Sequence, residues 1–171
     1  METVKKLEVT VASWYKSVPH LPKKGQEWLA TNAWWLTLIG VILGALAIVN
    51  ILFFSLLAGA FLTAVAGPIG AAAGGFVLFG VIISLGLGIV SVILGGMAIN
   101  PLKALQKKGW SLLFALLLIE VAAIVVSDVL TFNLLALVWE LVWAAVGGYF
   151  LFEIRGLFES KLHKGKQKEA K

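Results

Sequence analysis

Charged residues are absent from one very long part of the chain and frequent near its two ends. Residues 28–102 form a run of 75 residues without a single Asp, Glu, Lys or Arg. An α-helix crosses the hydrocarbon core of a bilayer with about 20 apolar residues, so the run is several times longer than one crossing requires. The pattern predicts an all-α integral membrane protein.

Helix breakers and polar turns divide the apolar sequence into four predicted membrane-spanning helices, a four-helix bundle. The first turn is expected at residues 66–70, because the dipeptide Gly67-Pro68 is a strong helix breaker. Trp34 and Trp110 mark two points where the chain enters hydrocarbon, since an indole favours a site with one wet and one apolar side. The predicted spans cover residues 34–58, 76–99, 110–127 and 134–152.

The long uncharged run also permits a different arrangement around residues 56–75. This stretch could form a complete third span, or a re-entrant hairpin that returns to the side from which it came. A complete extra span would place Lys103, Lys107 and Lys108 across the membrane from the amino-terminal lysines, against the positive-inside rule. A re-entrant hairpin keeps these segments on one side and stays open as an alternative.

Residues 1–18 have the spacing of an amphipathic helix. Apolar side chains recur three or four positions apart, with lysines between them. The interpretation that we favour is an interfacial helix in the headgroup layer, with Trp14 and Tyr15 as anchors. The alternative is a helix packed on the bundle or on a partner. The apolar positions are Val4, Leu7, Val11, Trp14 and Val18.

Two further polar segments flank the predicted membrane domain of residues 34–152. Residues 19–33 read as a linker leading to the membrane, because Pro19 and Pro22 interrupt helix formation. His20 lies between these prolines, and we expect it to be a solvated loop residue. Residues 153–171 read as a basic cytoplasmic tail, whose first turns continue as a helix along the interface.

The charge distribution predicts the orientation of the protein. Of 14 Lys and Arg residues, five precede the first predicted span, three lie in the middle loop and six follow the last span. An even number of spans puts all three segments on one side, so both termini are predicted to be cytoplasmic in a multi-pass protein of the cell membrane. Anionic lipids are the expected partner of this face, and no nucleic-acid-binding module is recognisable.

Two acids in the last two spans are the candidate site. Glu120 and Glu140 are each ten residues from position 130, so a helical hairpin would place both about 15 Å from its turn, near the bilayer midplane. Two charged carboxylates in hydrocarbon are costly, and at least one is expected to carry a proton. They form either a proton or cation site or a purely structural link. Structural hydrogen bonds could join them to each other or to Asn50, Ser84 or Ser91.

Small residues recur at intervals of four in the first two predicted spans. Such patterns are typical of close contacts between membrane helices, within one chain or between copies of it. We therefore interpret them as packing positions, and a homo-oligomer or a larger membrane complex is a natural completion. The positions are Gly40, Gly44, Gly80, Ser84 and Gly88.

The sequence carries no recognisable catalytic motif. The chain has no cysteine, and both histidines lie outside the apolar segments. We therefore expect no enzymatic activity, no cofactor and no metal site. The function that the pattern favours is transport of protons, cations or small solutes through the Glu120 and Glu140 pair. The alternative is a structural or assembly subunit of a membrane complex without transport activity.

Overall fold

A computed structural model describes residues 2–130 and 133–158. The helices are, in chain order, α1 at Glu2–Trp14, α2 at Lys23–Lys103, α3 at Lys107–Leu130 and α4 at Leu134–Glu153. A 3-10 turn at Tyr15–Ser17 follows α1. No strand occurs within the described ranges, which confirms the all-α prediction for this part of the chain.

The chain reverses direction inside α2, at Gly67. Its φ of 55° and ψ of −133° form a backbone conformation that glycine adopts far more readily than other residues. On either side of the reversal the chain packs as two antiparallel arms. A methyl group on Gly44 would lie 3.3 Å from Val92, and one on Gly88 would lie 3.3 Å from Ile48. The two arms of this helical hairpin are residues 23–66 and residues 68–103.

The reversal falls within the turn predicted at residues 66–70, but the helix extends further than predicted. Residues 56–75 are helical on both sides of Gly67, so they form the tip of the hairpin and no separate third helix. At the other end α2 already begins at Lys23, inside the predicted linker. Pro22 precedes it with a φ of −55°, which suits the start of a helix because proline lacks only an N–H that would be unpaired there.

The other two long helices continue the antiparallel packing. A methyl group on Gly95 of α2 would lie 3.6 Å from Leu116 of α3, and one on Gly148 of α4 would lie 3.3 Å from Leu117. Three helical segments are long and apolar enough to cross a membrane, namely Lys23–Lys103, Lys107–Val126 and Leu134–Glu153. The composition of the helices thus indicates membrane association.

The buried core lies at the end of the bundle that contains the start and the end of α2, the start of α3 and the end of α4. Trp110 is 1% exposed and stacks on Phe114 at a centroid distance of 5.5 Å, while Phe152 packs edge-on against both rings. The indole nitrogen of Trp110 donates to the carbonyl oxygen of Leu151 at 2.7 Å. Within the part of the chain that the structure describes, the core consists of the buried residues Ala30, Ala33, Ala98, Leu102, Trp110, Phe114, Leu151, Ile154 and Phe158.

This core changes the interpretation of two sequence features. Trp110 does not occupy a half-wet site, because the Leu151 carbonyl replaces water as the partner of its N–H group. Ile154 and Phe158 are buried against the bundle instead of lying along the interface. The rest of the predicted basic tail, residues 159–171, lies outside the described residues.

Basic residues from separate segments gather at the same end. The Nζ atom of Lys103 lies 5.1 Å from the ring centroid of Trp34, and the guanidinium carbon of Arg155 lies 5.6 Å from that of Trp110. Both arrangements are cation–π contacts, which favour a cation over the face of an indole. Basic residues at the end of α2 and just after α4 therefore lie at the same end of the bundle.

At the opposite end, the tip of the α2 hairpin extends past α3. Contacts of Gly95 with Leu116 and of Ser91 with Glu120 fix the register of α3 against α2. Continued along the helices, this register leaves roughly 14 residues of each arm beyond the end of α3, or about 20 Å at 1.5 Å per residue. The side chains of this tip are apolar and largely exposed, including Phe61, Val65 and Ile69.

Replacing Trp110 with alanine tests the core. We expect Trp110→Ala to lower the free energy of unfolding by about 3 to 5 kcal/mol, because it leaves a large cavity and an unpaired carbonyl. The matched variant is Trp28→Ala, whose side chain is 58% exposed and should cost less than about 1 kcal/mol. Equilibrium unfolding in mixed detergent micelles measures both values. Equal losses in the two variants would contradict a core built around Trp110.

Candidate carboxylate site between α2 and α3

Glu120 lies halfway along α3 and is directed toward α2. It is ten residues from Trp110 and ten from Leu130, about 15 Å of helix in each direction. The hydroxyl of Ser91, on the second arm of α2, donates to Oε1 of Glu120 at 2.8 Å. This bond is a polar contact between two largely apolar helices, at mid-length of α3.

A cavity of about 410 Å³ lies beside this contact, between the two arms of α2 and α3. It is open on one side, where Glu120 reaches the surface of the bundle. Small side chains leave this space unfilled, and two further hydroxyl-bearing residues contribute to its wall. The small and hydroxyl-bearing residues of the lining are Thr37, Gly40, Gly44, Ala47, Ser84, Gly88, Ser91 and Gly95.

The predicted packing positions divide between the helix contact, the cavity and open space. Gly44 and Gly88 lie where the two arms of α2 approach each other, and both also border the cavity. Gly40 and Ser84 line the cavity as well. Gly80 has no atom within 4 Å of the position that a Cβ would occupy. Four of the five positions therefore surround the space beside Glu120.

Glu140 is exposed on α4, as Glu120 is on α3, but the two acids differ in their partners. Among the described residues Glu140 makes no hydrogen bond or ion pair, whereas Glu120 accepts from Ser91. The side of α4 that packs on the bundle carries Gly148 and Leu151, both buried. The structure gives Glu120 a partner on α2 and shows no hydrogen bond between Glu120 and Glu140, so a single site formed by both acids stays a prediction.

A third acid, Glu153, is a buried carboxylate with several hydrogen-bond partners. Its Oε1 atom lies 2.6 Å from Nδ1 of His20. Its Oε2 atom accepts from the backbone N–H of Leu21 at 2.8 Å and from Nε2 of Gln26 at 3.0 Å. The side chain of Glu153 is 3% exposed and that of His20 is 63% exposed. His20 is therefore not simply solvated, because one of its ring nitrogens is paired with a buried acid.

Further contacts join the amino-terminal segment to the same part of α4. The Tyr149 hydroxyl donates to the carbonyl of Pro19 at 2.7 Å, and the Tyr15 hydroxyl donates to that of Ala145 at 2.9 Å. The Tyr15 ring also stacks on Phe152 at 5.5 Å. Burial raises the pKa of Tyr15, so its hydroxyl stays protonated and available as a donor at neutral pH.

The sequence pattern does not single out Glu153. An acid at the end of an apolar helix normally reads as a solvated helix end, and its partners lie 127 to 133 positions away in the chain. The nearest sequence signal is the pair of prolines beside His20, which predicts a rigid loop but not what the loop contacts. We refer to Glu153, His20, Leu21 and Gln26 below as the Glu153 cluster.

The described residues contain no group of three or more His, Asp or Glu side chains that could hold a metal ion. Taken together, the fold and the site describe a small all-α protein. It has apolar helices of membrane-spanning length and a carboxylate beside a cavity at mid-length of α3. No family model matches the chain, and no curated protein or solved structure matches it significantly.

Removing the Glu153 carboxylate tests its role in holding the amino-terminal segment. Glu153→Ala leaves three donors without their acceptor, and we expect amide hydrogen exchange around Leu21 to become about 10- to 100-fold faster. Glu27→Ala removes an exposed acid of the same region and is expected to leave this exchange rate unchanged. Unchanged protection in Glu153→Ala would mean that other contacts alone hold the segment.

Proposed function

We propose that this protein is a four-span integral protein of the cell membrane that binds and moves protons or small cations at Glu120. The observation that carries the proposal is the hydrogen bond between Ser91 and Glu120 beside a cavity at mid-length of the helices. Ionisable residues within membrane helices are costly and commonly mark ion or proton pathways. A carboxylate that has a donor and adjoining space meets the minimum chemical requirement for such a site.

The proposed topology counts the two arms of α2 as separate spans. With α3 and α4 this gives four antiparallel helices, which is consistent with the gathering of Lys103 and Arg155 at one end of the bundle. The positive-inside rule then assigns this end, and both termini, to the cytoplasmic side. Glu120 lies near the middle of the bilayer in this arrangement.

The chemistry of the site follows from the cost of charge in hydrocarbon. When Glu120 is ionised, the Ser91 hydroxyl stabilises the carboxylate through a charge-assisted hydrogen bond. Binding of a proton or a small cation removes the net charge. A water occupies about 30 Å³ in the liquid, so the cavity of about 410 Å³ has room for several waters that could carry a proton or hydrate an ion.

Paired glutamine variants test this proposal. In liposomes with a pH gradient, Glu120→Gln is expected to lower proton or cation flux at least about tenfold, because the amide cannot take up a charge. Glu140→Gln makes the same chemical change at an acid that does not line this cavity and accepts no hydrogen bond from Ser91, and it is expected to leave flux within about twofold of wild type. Equal unfolding curves for the two variants exclude a folding defect. Flux that is absent in wild type, or that both variants lower equally, would contradict a site at Glu120.

A second observation favours the assembly function. The apolar tip of the α2 hairpin projects beyond α3 with exposed side chains such as Phe61 and Ile69, although no described part of the chain covers it. Apolar arms longer than the hydrocarbon core must tilt, leave the bilayer or be covered by another protein. A structural subunit of a membrane complex would use the tip as its contact surface.

The mass of the protein in mild detergent tests the assembly function. If the tip binds a partner, Phe61→Ser combined with Ile69→Ser should shift most of the protein from a defined larger complex to the single chain. Leu135→Ser with Val138→Ser makes similar changes at exposed positions of α4 and should not. A single-chain mass for wild type, measured by light scattering, would remove this candidate.

A further inference from the structure

The cavity beside Glu120 is elongated along the helices. From the second arm of α2 it is lined by Ser84 and Ser91, which are seven residues or about 10 Å apart. Seven residues make about two helical turns, so both hydroxyls are on the same side of this arm. Because Ser91 donates to Glu120 and the helices are antiparallel, Ser84 lies about 10 Å from the acid in the direction of Leu130, the end of α3.

A third hydroxyl lines the cavity on the other side of the acid. Thr37 belongs to the first arm of α2. The antiparallel register of the two arms, in which Gly88 lies opposite Ile48, places Thr37 roughly 10 Å from the level of Ser91, toward the core. Its hydroxyl donates to the carbonyl of Ala33 at 2.7 Å, so its oxygen keeps lone pairs for a further donor.

The two ends of the cavity have different surroundings. Ser84 is exposed, and it is level with the end of the apolar span of α3 at Val126. At the other end, the turn beyond Thr37 holds Ala33, which is buried in the core. Water can therefore approach Glu120 from the end of α3, whereas the packed core closes the opposite end. We refer to the space from Ser84 to Thr37 as the access channel.

The spacing of the polar groups favours a proton over a metal cation. Hard metal cations such as Mg²⁺ and Ca²⁺ bind about six oxygen atoms or more, at roughly 2.0 to 2.6 Å. Among the residues that line the cavity, Glu120 and Ser91 supply the side-chain oxygens at mid-length, and the other hydroxyls are about 10 Å away. The described residues also contain no cluster of three acidic or histidine side chains. A proton needs a single acceptor and neutralises a single carboxylate.

The volume of the cavity suits a chain of hydrogen-bonded waters. Hydroxyl oxygens in such a chain are about 2.8 Å apart, so the roughly 20 Å from Ser84 to Thr37 needs about seven waters. At about 30 Å³ each these occupy about 210 Å³. The cavity of about 410 Å³ holds them, and the three hydroxyls provide fixed partners along the way.

We propose that the access channel is a hydrated route specific for protons, which connects Glu120 to the side of the membrane at the end of α3. The inference rests on the proposed function and adds to it the substrate and the side from which the substrate arrives. Each water passes on one proton as it receives another. The last proton forms an O–H bond with Oε2 of Glu120, and its departure restores the carboxylate. Release on the opposite side requires the core beyond Thr37 to open.

Single cysteines test whether water fills the channel, because the natural chain has no cysteine. In proteoliposomes, Ser84→Cys is expected to react with a charged methanethiosulfonate at least about tenfold faster than Ile83→Cys, because the reactive species is the thiolate. Ile83 is exposed next to Ser84 but does not line the cavity, so its cysteine would face hydrocarbon. Thr37→Cys is compared in the same way with Leu38→Cys, and the same order is expected.

The side of access is measured with a membrane-impermeant reagent, added either to intact expressing cells or to inverted membrane vesicles. Lys24→Cys marks the end of the bundle that contains the core, since Lys24 is exposed at the start of α2. Ser84→Cys should react in the preparation in which Lys24→Cys does not. The comparison holds whichever way the protein is oriented in the membrane.

Flux measurements connect the channel to its substrate. The methanethiosulfonate adduct of Ser84→Cys should lower proton flux to the level of Glu120→Gln, because the attached group fills the mouth of the channel. The adduct of Ile83→Cys should leave proton flux unchanged. Uptake of radioactive sodium and rubidium should be the same in wild type and in Glu120→Gln.

Three results would overturn the access channel. Equal reaction rates of Ser84→Cys and Ile83→Cys would mean that lipid chains fill the cavity. Reaction of Ser84→Cys from the same side as Lys24→Cys would put the opening at the core end. Uptake of sodium or rubidium that Glu120→Gln abolishes would make a metal cation the substrate. In each case flux that depends on Glu120 would still support the proposed function, whereas wild type without any flux would overturn both.

Discussion

The packing of Trp110 is the interaction on which the rest of the structure depends. Apolar helices in an apolar surrounding gain little from the hydrophobic effect when they associate, so specific packing and polar contacts must hold them together. Trp110 supplies both, since its ring stacks on Phe114 and its N–H group binds the Leu151 carbonyl. This single side chain links the start of α3 to the end of α4. The buried residues of α2, among them Leu102, complete the same cluster.

The large buried side chains lie at one end of the bundle, and the middle of the bundle is less closely packed. Near Trp110 large aromatic side chains fill the space between the helices, whereas beside Glu120 glycine, alanine, serine and threonine alternate with larger apolar side chains and leave a cavity. A cavity there destabilises the bundle less than one at the core would, because the packed end already fixes the register of the helices. The arrangement separates the part that holds the fold from the part that has room for an ion or water.

The features that could be predicted from the sequence are those with a local cause. The reversal at Gly67 follows from a Gly-Pro dipeptide, and the mid-length depth of Glu120 follows from counting residues along a helix. Ser91 was one of several partners compatible with that depth, but only the register of α3 against the second arm of α2 selects it. The contact between His20 and Glu153 joins positions 133 residues apart, and no periodicity encodes such a pairing.

Glu120, Glu140 and Glu153 differ in how many hydrogen-bond donors they receive from the described residues, and this difference supports different proposed roles. Glu153 has three donors and almost no exposure, so its charge is held in place and its part is structural. Glu120 has one donor and an adjoining cavity, which leaves one carboxylate oxygen able to meet a proton, a cation or water. Glu140 receives no donor from the described residues, so nothing in that part of the chain stabilises its charged form. Partial stabilisation of a carboxylate suits the proton or cation site that we propose, and of these three acids Glu120 is the one with a single donor beside a cavity.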